Sequence, residues 1–335
     1  LGGLTLGTLA FSPLTSFPAG FDDSSLVRVA TNSVSVYKEP SDKSAVVSTW
    51  YRDELVHIYG EVASETPAYN PVWYRVWGGY MHRARLQKVK MLFNQPLPFL
   101  EENTPRLVEI TVPYTQPWRG TKIYGWQQLG FRLYYGSVHW VEAIEEGPTG
   151  ETWYRIYDDL TGFPYHINPL HAKPIPLGEL APISPEVEVQ NKRIEVNLTT
   201  QTLTAYEFDK VVLKTLIASG IPNGPRDATG IPTKTPEGEF RIVDKMPAKH
   251  MGNGNLFADF SDYELPGVPW TLFFTSQGHA FHGTYWHENF GVPMSRGCIN
   301  MHTEEAKWLF RWTLPAHQIG KSFNRGFGTL VQIHY

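Results

Sequence analysis

The stretch VPMSRGCINM, residues 292–301, holds Cys298, the single cysteine of a 335-residue chain. A lone thiol forms no internal disulfide, so it is present either to react or to pack. Reaction requires the thiolate, and an ordinary thiol pKa of ~8.5 leaves little of it at neutral pH without a neighbouring base or cation. Arg296 stands two residues before the cysteine and His282 sixteen before it. The connecting GTYWHENFGVPMSRG is long enough to bring imidazole and thiol together. Gly297 lets the backbone turn tightly and aim successive amide N–H groups at one point, a nest suited to an oxyanion. Ser, Arg and Gly are poor company for a core position. The surroundings therefore predict an accessible thiol that alkylates faster than free cysteine near pH ~7.

Other histidines lie close by. His279, His282, His287 and His302, with Cys298, could imitate a zinc site. On a strand, however, His279 and His282 are three apart and point to opposite faces. No zinc-ligand spacing is present, so no metal is expected. Tyr285 and Trp286 either pack or line a peptide groove.

Strands and turns must carry these residues. PWTLFFTSQGHAFHGTYW reads as two strands joined at Gln277-Gly278, the second ending at His282. After the cysteine the period changes: Ala306, Leu309, Phe310 and Thr313 fall three or four apart, predicting a short amphipathic helix N-capped by Thr303 with Glu304 and Glu305 in its first turn. RIEVNLTTQTLTAYEFDKVVLKTLIASG predicts a hairpin and a further strand. TKTPEGEFRIVDK adds a turn and a strand, and GTLVQIHY is a final one.

Upstream, Val34 and Val36 alternate, a Pro-Ser-Asp turn follows, and Leu55, Val56, Ile58 and Tyr59 form a second run. VWYRVWGGYMHRARLQKV is echoed about eighty residues later by TWYRIYDDLTGFPYHINPLHAKPI, with Trp73, Tyr74, Arg75 and Val76 matching Trp153, Tyr154, Arg155 and Ile156. Such an echo predicts a duplicated β-unit. HAKPIPLGELAPISPEV, with four prolines, marks a stiff boundary. The expected layout is a flexible lead or signal/anchor remnant at 1–25, β-modules at 26–92 and 100–175, a proline-rich linker at 176–187 and a final domain at 188–335. The 26 prolines and 29 glycines are spread along the chain, which suits a mainly β protein. A net charge of -4 with scattered Lys and Arg speaks against nucleic acid. No apolar run reaches the ~18 residues of a membrane span, although the uncharged opening leaves room for a tether.

HGTYW at 282–286, SRGCINM at 295–301, the helix EEAKWLF and the turn TKTPEGEF at 233–240 together closely resemble the L,D-transpeptidase (YkuD-like) catalytic domain. Its signature is His-Gly, a loop, then Ser-His/Arg-Gly-Cys-Ile/Val and a polar residue. The resemblance spans roughly 188–335. The WYRV and WYRI units resemble bacterial SH3-like modules. The fold expected is two small SH3-like barrels followed by a β-rich catalytic domain. The resemblance implies Cys298 as nucleophile, His282 as base, Gly283 as the carbonyl orienting the imidazole, and the amides of Gly297 and Cys298 as oxyanion donors. Arg296 stands where many members have His. Ser295, Arg296, Asn300, Tyr285 and Trp286 become candidate substrate contacts. The implied partners are peptidoglycan stem peptides, with carbapenem-type β-lactams as inhibitors, no cofactor, and a cell-envelope location, secreted or anchored. The implied activity is acyl transfer giving 3-3 crosslinks. An L,D-carboxypeptidase-type hydrolase, and a wall-binding protein with an idle catalytic domain, are the alternatives.

Overall fold

Alternating apolar residues become strands throughout the computed structural model, which describes residues 25–101, 105–224, 232–257 and 264–335. The expected lead therefore falls almost wholly outside the described residues. The fold is mainly β, and one α-helix, Thr303–Trp312, occurs among the described residues.

The first unit closes a five-stranded antiparallel sheet over a three-stranded one formed by Leu55–His57, Leu26–Val29 and Leu86–Lys88. Val27, Val29, Val36, Tyr74, Val76, Met81 and Leu86 form its own core. The second unit is built on a seven-stranded sheet, and Val108, Ile110, Val141, Tyr154, Ile156 and Tyr165 lie beneath it. The echo in the sequence is an echo in structure. Val72–Val76 and Thr152–Tyr157 each pair with a return strand, Gly79–His82 and Pro164–Ile167. A one-turn 3₁₀ helix then follows in both, Arg83–Arg85 capped by the His82 side chain and Pro169–His171 capped by Asn168. A short strand completes each copy, Leu86–Lys88 and Ala172–Pro174.

The last domain stacks two five-stranded sheets. In one, Lys192–Asn197 runs parallel to Leu330–His334. In the other, Leu265–Phe273 pairs with Asp244–Met251 and with Ala280–Gly283, and Ala280–Gly283 runs parallel to Ile299–Met301. Ile194, Val196, Leu203 and Ala205 of the first sheet meet Trp270, Leu272 and Phe281 of the second in one core, sealed by Ala306, Leu309, Phe310 and Trp312 of the helix. The helix begins at Thr303 with Glu304 and Glu305 in its first turn. Its N-cap is His302, one residue earlier than the sequence pattern places it, and no side chain caps the turn.

The expected separation between modules and final domain is not what the chain adopts. Leu107, Val138 and Trp140 of the second unit, and Ile175 and Leu180 of the proline-rich segment, lie in the same core cluster as the final domain. Val138–Glu146 is buried along its first four residues, so it has apolar surface for two partners. The prolines do not make a free linker either: Arg311 donates to the Ala181 carbonyl, Lys192 Nζ donates to the carbonyls of Ile183, Ser184 and Trp312, and Glu179 pairs with Lys307. Further polar ties join the units. His250 Nδ1 and Nε2 lie 2.9 Å from Asp158 and Glu264. Asp53 of the first unit binds Arg28 and also Arg132 of the second, and Arg28 lies 3.9 Å over the Tyr134 ring.

Candidate active site

Ala280–Gly283 and Ile299–Met301 pair with Phe281 opposite Ile299 and His282 opposite Asn300. Side chains alternate along a strand, so Ala280, His282, Asn300 and, one step before the pairing begins, Cys298 share a parity. That register sets the thiol and the imidazole on one side of the sheet although sixteen residues separate them.

The cysteine turn is fixed by a ring of hydroxyls. Ser295 Oγ accepts the Gly297 N–H at 3.1 Å and donates to the Cys298 carbonyl. Thr235 Oγ1 donates to the Gly297 carbonyl at 2.9 Å and accepts the Gly220 N–H at 2.8 Å. Gly297 has φ +113, and a Cβ there would stand 2.8 Å from the His279 ring, so both backbone and packing require glycine. Segment 218–221 runs alongside, with Ala218 bonded to Asn300 through both backbone groups and Ser295 donating its N–H to Ser219. Thr235 belongs to the TKTPEGEF turn quoted from the sequence, but its grip on the cysteine turn depends on a contact across 62 residues and has no local signal.

His282 is fully buried, and its Nδ1 lies 3.0 Å from the Gly283 carbonyl. A carbonyl only accepts, so Nδ1 carries the proton and Nε2 presents a lone pair. That Nε2 is a buried nitrogen with no partner among the described residues. Trp286 packs its ring 5.7 Å from that of His282. Cys298 is half-buried, its Sγ 3.7 Å from the Gly278 carbonyl. Burial pushes the thiol up to about 11, against the Ala280 N–H that favours the thiolate. Burial also pulls His282 down to about 4, partly offset by the Gly283 bond. The resting pair is therefore neutral thiol and neutral imidazole. This reverses the sequence expectation of a thiol activated at rest: Arg296 is exposed to solvent, where its charge is screened, and desolvation dominates.

The remaining candidates divide. Arg296 is exposed at the surface, two residues before the cysteine. Ser295 is occupied in shaping the turn, and because the Gly297 N–H is donated to it, the Cys298 amide is the one of the expected pair left for an oxyanion. Asn300 is buried with its carboxamide 2.8 Å from His287 Nε2, so it braces the loop instead of facing a groove. Tyr285 is also a packing residue: its hydroxyl donates to the Pro266 carbonyl at 2.9 Å and its ring stacks on Tyr134 of the second unit. His279 turns away from His282, stacked against Phe274 with Nδ1 2.9 Å from the Thr275 hydroxyl.

Residues 191–333 match the family model described as the L,D-transpeptidase catalytic domain, YkuD. This segment is an L,D-transpeptidase catalytic domain. A curated relative, the Bacillus licheniformis protein named for L,D-transpeptidase YkuD, is 34% identical over 116 residues, which cover 34% of this chain and 54% of that protein. Among solved structures, an L,D-transpeptidase from Mycobacterium smegmatis matches at 21% identity and TM-score 0.33, covering 43% of this chain and 59% of that one. L,D-transpeptidase 3 from Mycobacterium tuberculosis, solved with a faropenem-derived adduct, matches at 20% identity and TM-score 0.32, covering 43% and 60%. The chain thus spans about half the length of the curated relative it matches.

Proposed function

We propose that the chain is a cysteine-dependent peptidoglycan L,D-transpeptidase that forms 3-3 crosslinks in the cell envelope. The observation that carries this reading is the buried, partnerless His282 Nε2, its tautomer set by Gly283, on the sheet face that Cys298 shares. In the first half-reaction Sγ adds to the carbonyl carbon joining the diamino residue of a donor stem, through its L-centre, to the terminal D-alanine. The thiol proton passes to His282 Nε2 as the S–C bond forms, and the Cys298 amide stabilises the oxyanion. Collapse breaks the C–N bond, and the imidazolium gives its proton to the departing amine. A thioester remains. The side-chain amine of a second stem then adds to it, losing a proton to His282. The C–S bond breaks, and the sulfur regains the proton from the imidazolium.

The β-units, read as SH3-like, would seat the enzyme on the wall, and the secreted or tethered location follows from that substrate. Intact-protein mass spectrometry after exposure to a carbapenem should show one adduct on the wild-type protein and none on Cys298→Ala. His282→Ala should lose dimer formation from disaccharide-tetrapeptide. Release of D-alanine with conversion to disaccharide-tripeptide and no dimer would instead mark the hydrolase, and an unmodified wild-type protein would favour wall binding alone.

A further inference from the structure

The loop between histidine and cysteine, residues 284–296, is held from outside its own domain. Asn70 of the first β-unit is buried and donates from Nδ2 to Asn289 Oδ1 at 2.6 Å. Arg83 of the same unit donates to the Phe290 carbonyl at 2.8 Å. The backbone N–H of Lys88 reaches the Glu288 carboxylate. Asn70 is itself fixed, because its carbonyl meets His82 Nε2 at 2.8 Å and its N–H bonds to the Pro67 carbonyl.

Those contacts lead inward. The Asn289 N–H donates to His287 Nδ1 at 3.1 Å, and His287 Nε2 braces the Asn300 carboxamide two residues beyond Cys298. The Phe290 ring sits 3.8 Å from that of His302, which occupies the N-cap position of the helix following the cysteine strand. Trp286, on the same loop, covers the His282 ring. Residues that brace the surroundings of both members of the pair therefore lie on a segment whose outer side rests on a different unit of the chain.

We propose that Asn70 and Arg83 are positioning residues: by holding Asn289 and Phe290 they lock the 284–296 loop, so that the first β-unit sets the reactivity of Cys298 and His282. This gives the unit a part in the chemistry in addition to wall targeting. The inference rests on the assignment of those two residues as nucleophile and base. A loop released at Asn289 and Phe290 would let His287 and Trp286 drift, and misplacement of reacting groups by about 1 Å costs on the order of a hundredfold in rate.

The test uses the full chain and meropenem as the probe, with the saturating acylation rate constant and the half-saturation concentration measured separately across pH. Asn70→Ala and Arg83→Ala should lower the saturating rate about ten- to a hundredfold. Half-saturation, sacculus binding and far-UV circular dichroism should stay at wild-type values. Arg83→Lys, which keeps a donor for the Phe290 carbonyl, should recover most of the rate. Hydrogen exchange in the variants should rise within 284–296. If Asn70→Ala fails to fold, the Arg83→Ala and Arg83→Lys pair decides alone. Variants that acylate as fast as wild type, or a Lys variant no better than Ala, overturn the proposal. A wild-type protein that meropenem does not acylate would overturn the nucleophile assignment instead.

Discussion

His282 is fully buried and Cys298 half-buried, and desolvation favours the neutral form of each: the imidazole is pulled down to about 4 and the thiol pushed up to about 11. On the proposed assignment, a pair that is neutral at rest reacts only when a carbonyl is positioned for Sγ to attack while Nε2 accepts its proton. Small alkylating agents, which need preformed thiolate, gain nothing from such an arrangement. Iodoacetamide should therefore label Cys298 more slowly than free cysteine at pH 7, with a rate that keeps climbing beyond pH 9, while carbapenem acylation proceeds at pH 7. Labelling faster than free cysteine at pH 7 would refute a neutral pair. The proposed roles of these residues rest on the resemblance of SRGCINM and HGTYW to the family motif, and the structure adds that Gly297 must be glycine, by its φ of +113 and the His279 ring beside it. The protonation states of His282 and Cys298 were not legible, because burial is set by the packing of the whole domain and not by the motif itself.

Hairpins, turns and the α-helix followed from local pattern: the Gln277-Gly278 turn, the hairpin at 192–207 and the apolar stripe of Thr303–Trp312 all appear where alternation and period place them, whereas the two parallel pairings have no local signal. What local pattern lacked was the load on the 284–296 loop, whose bonds span 207 and 219 residues. Glu288 shows the cost of that docking. Burial raises its carboxyl to about 7, while Lys88, with its charge and backbone N–H, and Arg83 pull it down, and Glu61 and His302 stand near. A released Glu288 ionises near its ordinary 4.5, whereas the docked one stays protonated to about 7. Docking is therefore most favourable at low pH and weakens as pH rises from 4.5 to 7, with the full penalty present above that. Glu288→Gln keeps the shape and removes the charge. It should raise the melting temperature at pH 8 by a few degrees, and much less at pH 5. Equal shifts at both pH values would show that the carboxyl does not titrate on docking.

At the scale of the whole molecule, buried neutral histidines set the acid limit. His139 and His287 are held at about 3 and His282 at about 4, by burial in each case. Unfolded, each takes a proton near 6.5, so their stability is full above that value and drains as pH falls toward 4. At pH 5 each costs roughly 2 kcal/mol. His250, raised between Asp158 and Glu264, and Glu288, raised to about 7, oppose these three rings. The melting temperature should thus fall steeply between pH 6.5 and 5, and a flat profile there would contradict the burial of these rings. The shared core makes a stronger claim. The prolines at 174–185 mark a boundary in the sequence, and a chain cut near Pro185 would be expected to keep the catalytic domain. Yet Leu107, Val138, Trp140, Ile175 and Leu180, all upstream of that cut, sit among the catalytic domain's own core residues. Removing five such side chains forfeits about 2 kcal/mol each, on the order of 10 kcal/mol together, as much as the entire stability of an ordinary domain. A chain beginning at Pro185 should accordingly be insoluble or unfolded by circular dichroism, whereas one beginning near Pro105, which keeps the second unit and loses the first, should fold and acylate slowly because Asn70 and Arg83 are gone. If the shorter chain folds and is acylated at the wild-type rate, the second unit is an accessory, and the apolar surface that Val138 and Trp140 cover tolerates water.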